Sequence, residues 1–127
     1  MTNEEKELLL KDLCGRLPHG VKYILPGGNV NHTYTMKGID LIVTDEGVWD
    51  YGVTTRNTEP IEIKYIKPYL RSMSSMTEEE EIYYSTVYTT LKFYEKEDWL
   101  NAHHFDYRGL IPMGLALEAP EDMYKNE

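Results

Sequence analysis

The sequence predicts a single α+β domain with a small antiparallel sheet or half-barrel of four to five strands, an N-terminal helix and C-terminal helices. A chain of 127 residues has the length of one ordinary domain. The apolar residues have helical spacing near the N-terminus, change to a period of two between Val21 and Leu70, and return to helical spacing after Thr77. These three observations predict one domain over residues 1–127, with a frayed tail from about residue 120.

The first helix is predicted from Asn3 to Cys14. Thr2 and Glu5 have the spacing of a capping box, and the leucines that follow share one face of a helix: Leu8, Leu9, Leu10, Leu13 and Leu17. Gly15 is predicted to be the left-handed C-terminal cap. Cys14 falls near the apolar face, so a small buried thiol is expected.

Four or five short strands are predicted between residues 21 and 70. Their sequences are VKYIL, HTYTM, IDLIVT, VWDYGV and IEIKYIKPYL. The segment DEG separates the third from the fourth, where Gly47 can supply the positive φ of a three-residue hairpin loop. Because Pro68 cannot donate to a ladder, the end of the last strand is predicted to lie at an edge or to leave the sheet. Strands joined by close turns indicate a meander.

Two further helices are predicted in the C-terminal half. Thr77 has the position of an N-cap with Glu80 at the capping-box position, which predicts a helix over 77–91. The weak helix propensity of the residues that follow leaves a strand over 87–93 as the alternative. A short helix over 96–104 is predicted to bury Trp99.

Charge and composition restrict the classes of partner. The chain has 13 Lys and Arg against 22 Asp and Glu, a net charge of -9, which disfavours nucleic acid and steers basic partners toward the protein. Of its aromatic residues 11 are Tyr, which suits half-buried binding surfaces. We find no membrane span and no secretory signal, and with Cys14 as the single cysteine a cytoplasmic location is expected.

No catalytic or cofactor motif is evident, so no cofactor is predicted and an enzymatic activity is disfavoured. His103, His104 and Asp106 form the one cluster with metal-ligating chemistry. Adjacent helical residues diverge by about 100°, so the two imidazoles are expected to point apart and a shared metal ion is disfavoured. Asp106 is instead expected to cap the next turn, and Arg108 to pair with Asp106 or with the last carbonyls of the preceding helix.

One locally basic and aromatic stretch could hold a small anionic ligand such as a nucleotide. It spans residues 64–71 and contains Lys64, Tyr65, Lys67, Tyr69 and Arg71. Stacking on Tyr rings combined with phosphate contacts from Lys and Arg is the chemistry that such a ligand requires. The other interpretation is an edge strand whose lysines block aggregation.

Three runs of the sequence resemble a known group of proteins. They are KELLLKDLCGRLPHGVK (6–22), KPYLRSMSSMTEEEE (67–81) and DWLNAHHFDYRGLIPMGLALEAPEDMY (98–124). Together they resemble small uncharacterised proteins encoded by phages and mobile elements of gut Bacteroides and their relatives, in which residues 23–63 are the most divergent part. The resemblance implies an intracellular accessory protein of a mobile element and no particular activity.

The function expected from the sequence is non-enzymatic binding of a host protein, as its inhibitor or modulator. Aromatic residues supply interfacial energy and carboxylates steer the encounter, so Trp49, Asp50 and Tyr51 in the divergent strand region are the predicted contacts. The alternative is a small-ligand protein that binds an anion at Lys64–Arg71. Neither hypothesis predicts an oligomeric state.

Overall fold

A computed structural model describes residues 1–25, 33–55, 59–87 and 93–124 and confirms the α+β class. An N-terminal helix precedes two mostly antiparallel sheets, and two helices follow. The helices are α1 (Asn3–Arg16), α2 (Glu78–Val87) and α3 (Phe93–Ala102). The strands are β1 (Lys22–Ile24), β2 (Tyr34–Thr35), β3 (Gly38–Val43), β4 (Trp49–Thr54), β5 (Ile61–Glu62), β6 (Lys67–Leu70) and β7 (Leu117–Glu118).

The strands divide between two sheets. The first has the order β2-β1-β6-β7 and the second the order β3-β4-β5. All pairs are antiparallel except β6 with β7. The segment IEIKYIKPYL, predicted as one strand, is broken by a 3-10 turn at Ile63–Tyr65. Because of that turn, β5 pairs with β4 in one sheet whereas β6 pairs with β1 in the other.

Helix α1 begins as predicted and ends later. Thr2 Oγ1 accepts a hydrogen bond from the Glu5 N–H at 3.0 Å and the Thr2 N–H donates to Glu5 Oε1 at 2.8 Å, which confirms the capping box. Gly15 is not the left-handed cap but lies inside the helix, against α3, where a Cβ would stand 3.0 Å from Asn101 Nδ2. The left-handed residue is Gly20, after a 3-10 turn at Leu17–His19. Cys14 is exposed and not buried, because it lies off the buried face of the helix.

The core lies between α1 and the two sheets. Leu9 and Leu13 are one turn apart on α1 and are fully buried. They pack with apolar side chains from both sheets and from the irregular C-terminal segment, namely Val21, Tyr23, Met36, Val53, Ile63, Ile66, Leu70, Leu110, Leu115 and Ala116. Both sheets therefore share one core.

Helix α2 begins at the predicted capping box, whereas α3 begins at Phe93, three residues before the predicted start at residue 96. The Glu80 N–H donates to Thr77 Oγ1 at 3.2 Å and the Thr77 N–H donates to Glu80 Oε1 at 2.9 Å, so the second capping box is formed. Residues 88–92 lie outside the described residues, and with them most of the segment 87–93 for which helix and strand were alternatives. Helix α3 ends at Ala102, two residues before the predicted end, because His104 has a φ of 65°.

The end of the chain is docked on the first sheet at least as far as Tyr124, which differs from the predicted frayed tail. The Tyr124 hydroxyl donates to the Tyr69 carbonyl at 2.7 Å and accepts from the Lys22 N–H at 2.9 Å. Its ring stacks on His104 with the centroids 3.7 Å apart. Residues 125–127 lie outside the described range.

Candidate partner-binding surface

Strands β3 and β4 form a hairpin with the predicted three-residue loop, Asp45–Gly47. The Thr44 N–H donates to the Val48 carbonyl at 2.8 Å, and the Gly47 N–H donates to the Thr44 carbonyl at 2.9 Å. Gly47 has a φ of 81°, the left-handed conformation that such a loop requires. The loop fixes the register, so Val43 pairs with Trp49.

The outer part of this hairpin presents four apolar side chains on one face. Leu41 pairs directly with Tyr51 and Val43 with Trp49, and side chains two apart on a strand share a face. Leu41 is 57% exposed, Val43 56%, Trp49 68% and Tyr51 44%. We call these four residues the hairpin face. Such a cluster of exposed apolar residues is typical of an interaction site.

The hairpin face is exposed because the core covers only the base of the hairpin. Val53, which follows Tyr51 on the same face of β4, is fully buried, and its β3 neighbour Ile39 packs against the core. Beyond this pair, no described element covers this side of the strands, although the other side still packs, with Thr44 buried and Asp50 paired with Lys6 of α1. The same face of the hairpin is therefore buried in the core at Val53 and exposed to solvent at Trp49 and Tyr51.

Asp50 lies on the opposite side of the hairpin from Trp49 and Tyr51. The alternation of side chains along β4 separates it from the two aromatic residues with which it was predicted to act. Its carboxylate forms an ion pair with Lys6 of α1 and accepts a hydrogen bond from the Tyr51 N–H at 2.8 Å. The hydrogen bond from Lys6 lowers the pKa of Asp50. Asp50 thus attaches the hairpin to α1.

Sequence reasoning missed Leu41 and Val43, although the signal was present. A three-residue loop at 45–47 pairs residue 43 with 49 and residue 41 with 51. That register places two aliphatic residues beside the two predicted aromatic ones.

The hairpin carries negative charge only. Its residues from 38 to 54 include no Lys and no Arg, and they include four carboxylates: Asp40, Asp45, Glu46 and Asp50. Lys64 contacts two of these from outside the hairpin, with its Nζ 2.9 Å from Glu46 Oε1 and 3.7 Å from Asp45 Oδ1. With Lys6 on Asp50, two lysines face four carboxylates, so the hairpin remains acidic overall, which favours a basic partner.

The predicted anion-binding stretch does not form one surface. Lys64 lies in the 3-10 turn among carboxylates, and its hydrogen bond to Glu46 raises its pKa. The Tyr65 hydroxyl donates to Asp45 Oδ2 at 2.9 Å. Lys67 is exposed at the start of β6, whereas Tyr69 two residues later is buried. These residues do not converge on one ligand-sized space.

Arg71, the last member of that stretch, is occupied by protein groups. Its guanidinium donates to both carboxylate oxygens of Glu80, at 2.8 and 2.6 Å, and it lies 4.2 Å above the Phe105 ring. The hydrogen bonds from Arg71 lower the pKa of Glu80 to about 2. Arg71 therefore joins β6 to α2. Its guanidinium, which the anion-binding hypothesis assigns to a ligand, is used by Glu80 instead.

The histidine stretch forms a packed turn. His103 Nδ1 lies 3.5 Å from Glu80 Oε2 and the ring contacts Trp99, while His104 stacks on Tyr124. Burial lowers the pKa of His103. Within the part of the chain that the structure describes, no group of three His, Cys, Asp or Glu side chains is arranged to hold a metal ion.

Asp106 caps the turn that follows it, as predicted. Its two carboxylate oxygens accept from the N–H groups of Leu110 at 2.8 Å and Ile111 at 2.9 Å. Arg108 does not pair with Asp106, because that carboxylate is used by the backbone. Arg108 Nε instead donates to Asp12 Oδ1 of α1 at 3.1 Å.

Asp12 is the centre of a buried polar network. It accepts from Arg16 Nε at 2.7 Å and from Arg16 Nη2 at 3.0 Å, and both side chains are fully buried. Arg16 Nη2 also donates to the Phe105 carbonyl at 2.6 Å. With Arg108, these contacts fasten α1 to the C-terminal segment. We call Asp12, Arg16 and Arg108 the Asp12 network.

In three comparisons with known proteins, no family model, no curated protein and no solved structure matches this chain. Among the described residues, none of the helices combines the length and the apolar character needed to cross a bilayer.

Proposed function

We propose that the chain is a non-enzymatic binding protein of a phage or mobile element, which acts in the cytoplasm by occupying a surface of a host protein. The observation that carries the binding role is the hairpin face, where Leu41, Val43, Trp49 and Tyr51 are exposed together. The origin and the location rest on the sequence resemblance and on the composition.

The chemistry of the hairpin supports this role. Trp and Tyr are the residue types that most often dominate interface energetics, and here they are flanked by aliphatic neighbours. The four carboxylates of the hairpin add long-range attraction for a basic surface. A binding role also requires no catalytic constellation, and the titratable residues predicted as candidates are used in contacts within the fold.

A site-specific cross-linking experiment tests the proposal. A photoreactive phenylalanine analogue is placed at Trp49 or, as the matched control, at Ile82, which is 59% exposed on α2. We expect a host protein to be cross-linked from position 49 and not from position 82. Equal labelling from both positions would contradict the proposal.

Kinetic measurements on the purified complex then separate the contribution of the aromatic contact from that of the charges. Trp49→Thr should speed dissociation by at least about tenfold, because truncating a central aromatic residue acts mainly on the dissociation rate. Raised salt should mainly slow association. Turnover of a substrate that is abolished by changing His103 or Asp106 would show instead that the protein is an enzyme.

A further inference from the structure

The outer edge of β3 is open and is suited to pairing with another strand. In the second sheet β3 is the terminal strand, and among the described residues it pairs only with β4. It is six residues long, and its sequence GIDLIV contains no Lys, Arg or Pro. Natural proteins protect exposed edges with charged side chains, Pro or a covering segment, because an unprotected apolar edge recruits another strand, and the one charged residue of β3 is Asp40.

The register identifies which backbone groups of β3 face that edge. The Thr44 N–H donates to the Val48 carbonyl, so these two residues form a hydrogen-bonded pair. Hydrogen-bonded and non-hydrogen-bonded pairs alternate along an antiparallel ladder. Asp40 and Ile42 therefore bond to β4, whereas Leu41 and Val43 direct their N–H and C=O groups outward.

The same two residues belong to the hairpin face. A strand added beside β3 would satisfy the outward backbone groups of Leu41 and Val43 and would extend the hairpin face by one row of side chains. The edge and the hairpin face are thus two parts of one binding surface.

Charge decides what kind of strand fits. On the side of β3 opposite the hairpin face, Asp40 is exposed, and the loop at the end of the strand carries Asp45 and Glu46. A second copy would bring another chain of net charge -9 and another hairpin without a basic residue against these groups. An added strand that alternates apolar residues with Lys or Arg complements both sides.

We infer that β3 accepts an extended basic segment of the partner as an additional antiparallel strand, with apolar side chains beside Leu41 and Val43 and Lys or Arg side chains beside Asp40. This inference rests on the proposed function and names the class of partner segment. The affinity comes from main-chain hydrogen bonds, and the alternating side chains supply selectivity.

The test uses an acetylated and amidated hexapeptide of alternating Val and Lys, added to the full chain labelled with 15N. In an antiparallel pair, the peptide residues that bond to Leu41 and Val43 have their side chains on the hairpin-face side, so they are the Val residues. Methylating the backbone nitrogens of Val should weaken binding by about tenfold or more, because each lost hydrogen bond reduces affinity. The matched control, methylated at Lys, should bind like the parent peptide.

Amide hydrogen exchange reports the position of the added strand. We expect the Leu41 and Val43 amides to exchange at least about tenfold more slowly with saturating peptide, while Asp40 and Ile42, which already bond to β4, change little. A hexapeptide of Val and Glu should bind at least about tenfold more weakly than the Val and Lys peptide at low salt.

Three results would overturn the inference. They are no amide change with millimolar Val and Lys peptide, equal binding of both methylated peptides, and protection of Leu41 and Val43 that rises with protein concentration alone, which would identify a second copy as the occupant. The proposed function is judged separately: a host protein that needs Trp49 but leaves the exchange of Leu41 and Val43 unchanged would refute only the added strand.

Discussion

The hairpin face and the Asp12 network reverse the usual distribution of side chains. In the network, Asp12 and Arg16 are fully buried and contact each other, and Arg16 also donates to the Phe105 carbonyl. In the hairpin face, four apolar side chains are exposed and most of the core lies elsewhere. Polar residues that have partners inside the fold need no ligand to explain them, whereas a cluster of exposed apolar residues is typical of an interaction site.

The comparison also separates stability from binding. Removing a buried charged group should weaken the fold and leave the hairpin surface in place. Removing an exposed apolar group should weaken binding and leave the fold in place. Four substitutions test this separation, in order of decreasing effect on stability.

Asp12→Ala should have the largest effect. It leaves Arg16 buried without its carboxylate, and breaking a buried ion pair in this way costs about 3 to 5 kcal/mol in the free energy of unfolding. Urea denaturation measures the change. Asp40→Ala is the control, because Asp40 is exposed on β3 and its removal should change stability by less than about 0.5 kcal/mol. If both substitutions change the free energy of unfolding equally, the Asp12 network contributes no more to stability than the exposed hairpin does.

Tyr124→Phe should have the next largest effect. The variant keeps the ring on His104 but leaves the Tyr69 carbonyl and the Lys22 N–H without this hydroxyl. We expect a loss of about 1 to 3 kcal/mol in the free energy of unfolding. Tyr83→Phe, on an exposed ring of α2, should be nearly neutral. A neutral Tyr124→Phe would mean that the C-terminal segment is not held to the sheet by this contact.

Glu80→Gln should reveal a pH-dependent contribution. The pKa of Glu80 is lowered to about 2 by Arg71, so its stabilising effect is complete above the unfolded value of about 4.5 and is lost as the pH falls toward 2. The difference in stability between wild type and Glu80→Gln should therefore shrink over that range. Its size at neutral pH should be about 1 to 2 kcal/mol, because Arg71 donates two hydrogen bonds to a Glu80 side chain that is only 16% exposed. A constant difference from pH 6 to pH 3 would contradict this assignment.

The sequence predicted most parts of the fold that depend on local signals, with the exception of Gly15, the expected left-handed cap, which lies inside α1. Two capping boxes, the loop at Gly47 and the cap at Asp106 each need only neighbouring residues, and the structure confirms all of them. The division into two sheets depends on a turn at Ile63–Tyr65 that interrupts an apparently continuous strand pattern. A period-two pattern does not report such a turn, because the residues on both sides of it keep their apolar character.

The candidate site was predicted only in part, because local patterns identify single residues but do not show which residues of another strand lie beside them. Trp49 and Tyr51 were identified as exposed aromatic residues, but their neighbours Leu41 and Val43 come from another strand and follow only from the register. The distant pairing of Arg108 with Asp12 joins residues 96 positions apart, which no local pattern specifies. The contacts that join distant segments are thus those that the sequence left open.

Trp49→Thr should have the smallest effect on stability, below about 1 kcal/mol, because it removes an exposed side chain and retains a residue suited to a strand. Val53→Ala is the matched comparison on the same face of the same strand. Val53 is fully buried, and losing two methyl groups there should cost about 2 kcal/mol. Thermal and urea unfolding of both variants measure the contrast. If Trp49→Thr destabilises the chain as much as Val53→Ala does, the hairpin face is packed within the fold, and the observation that supports the proposed binding role is lost.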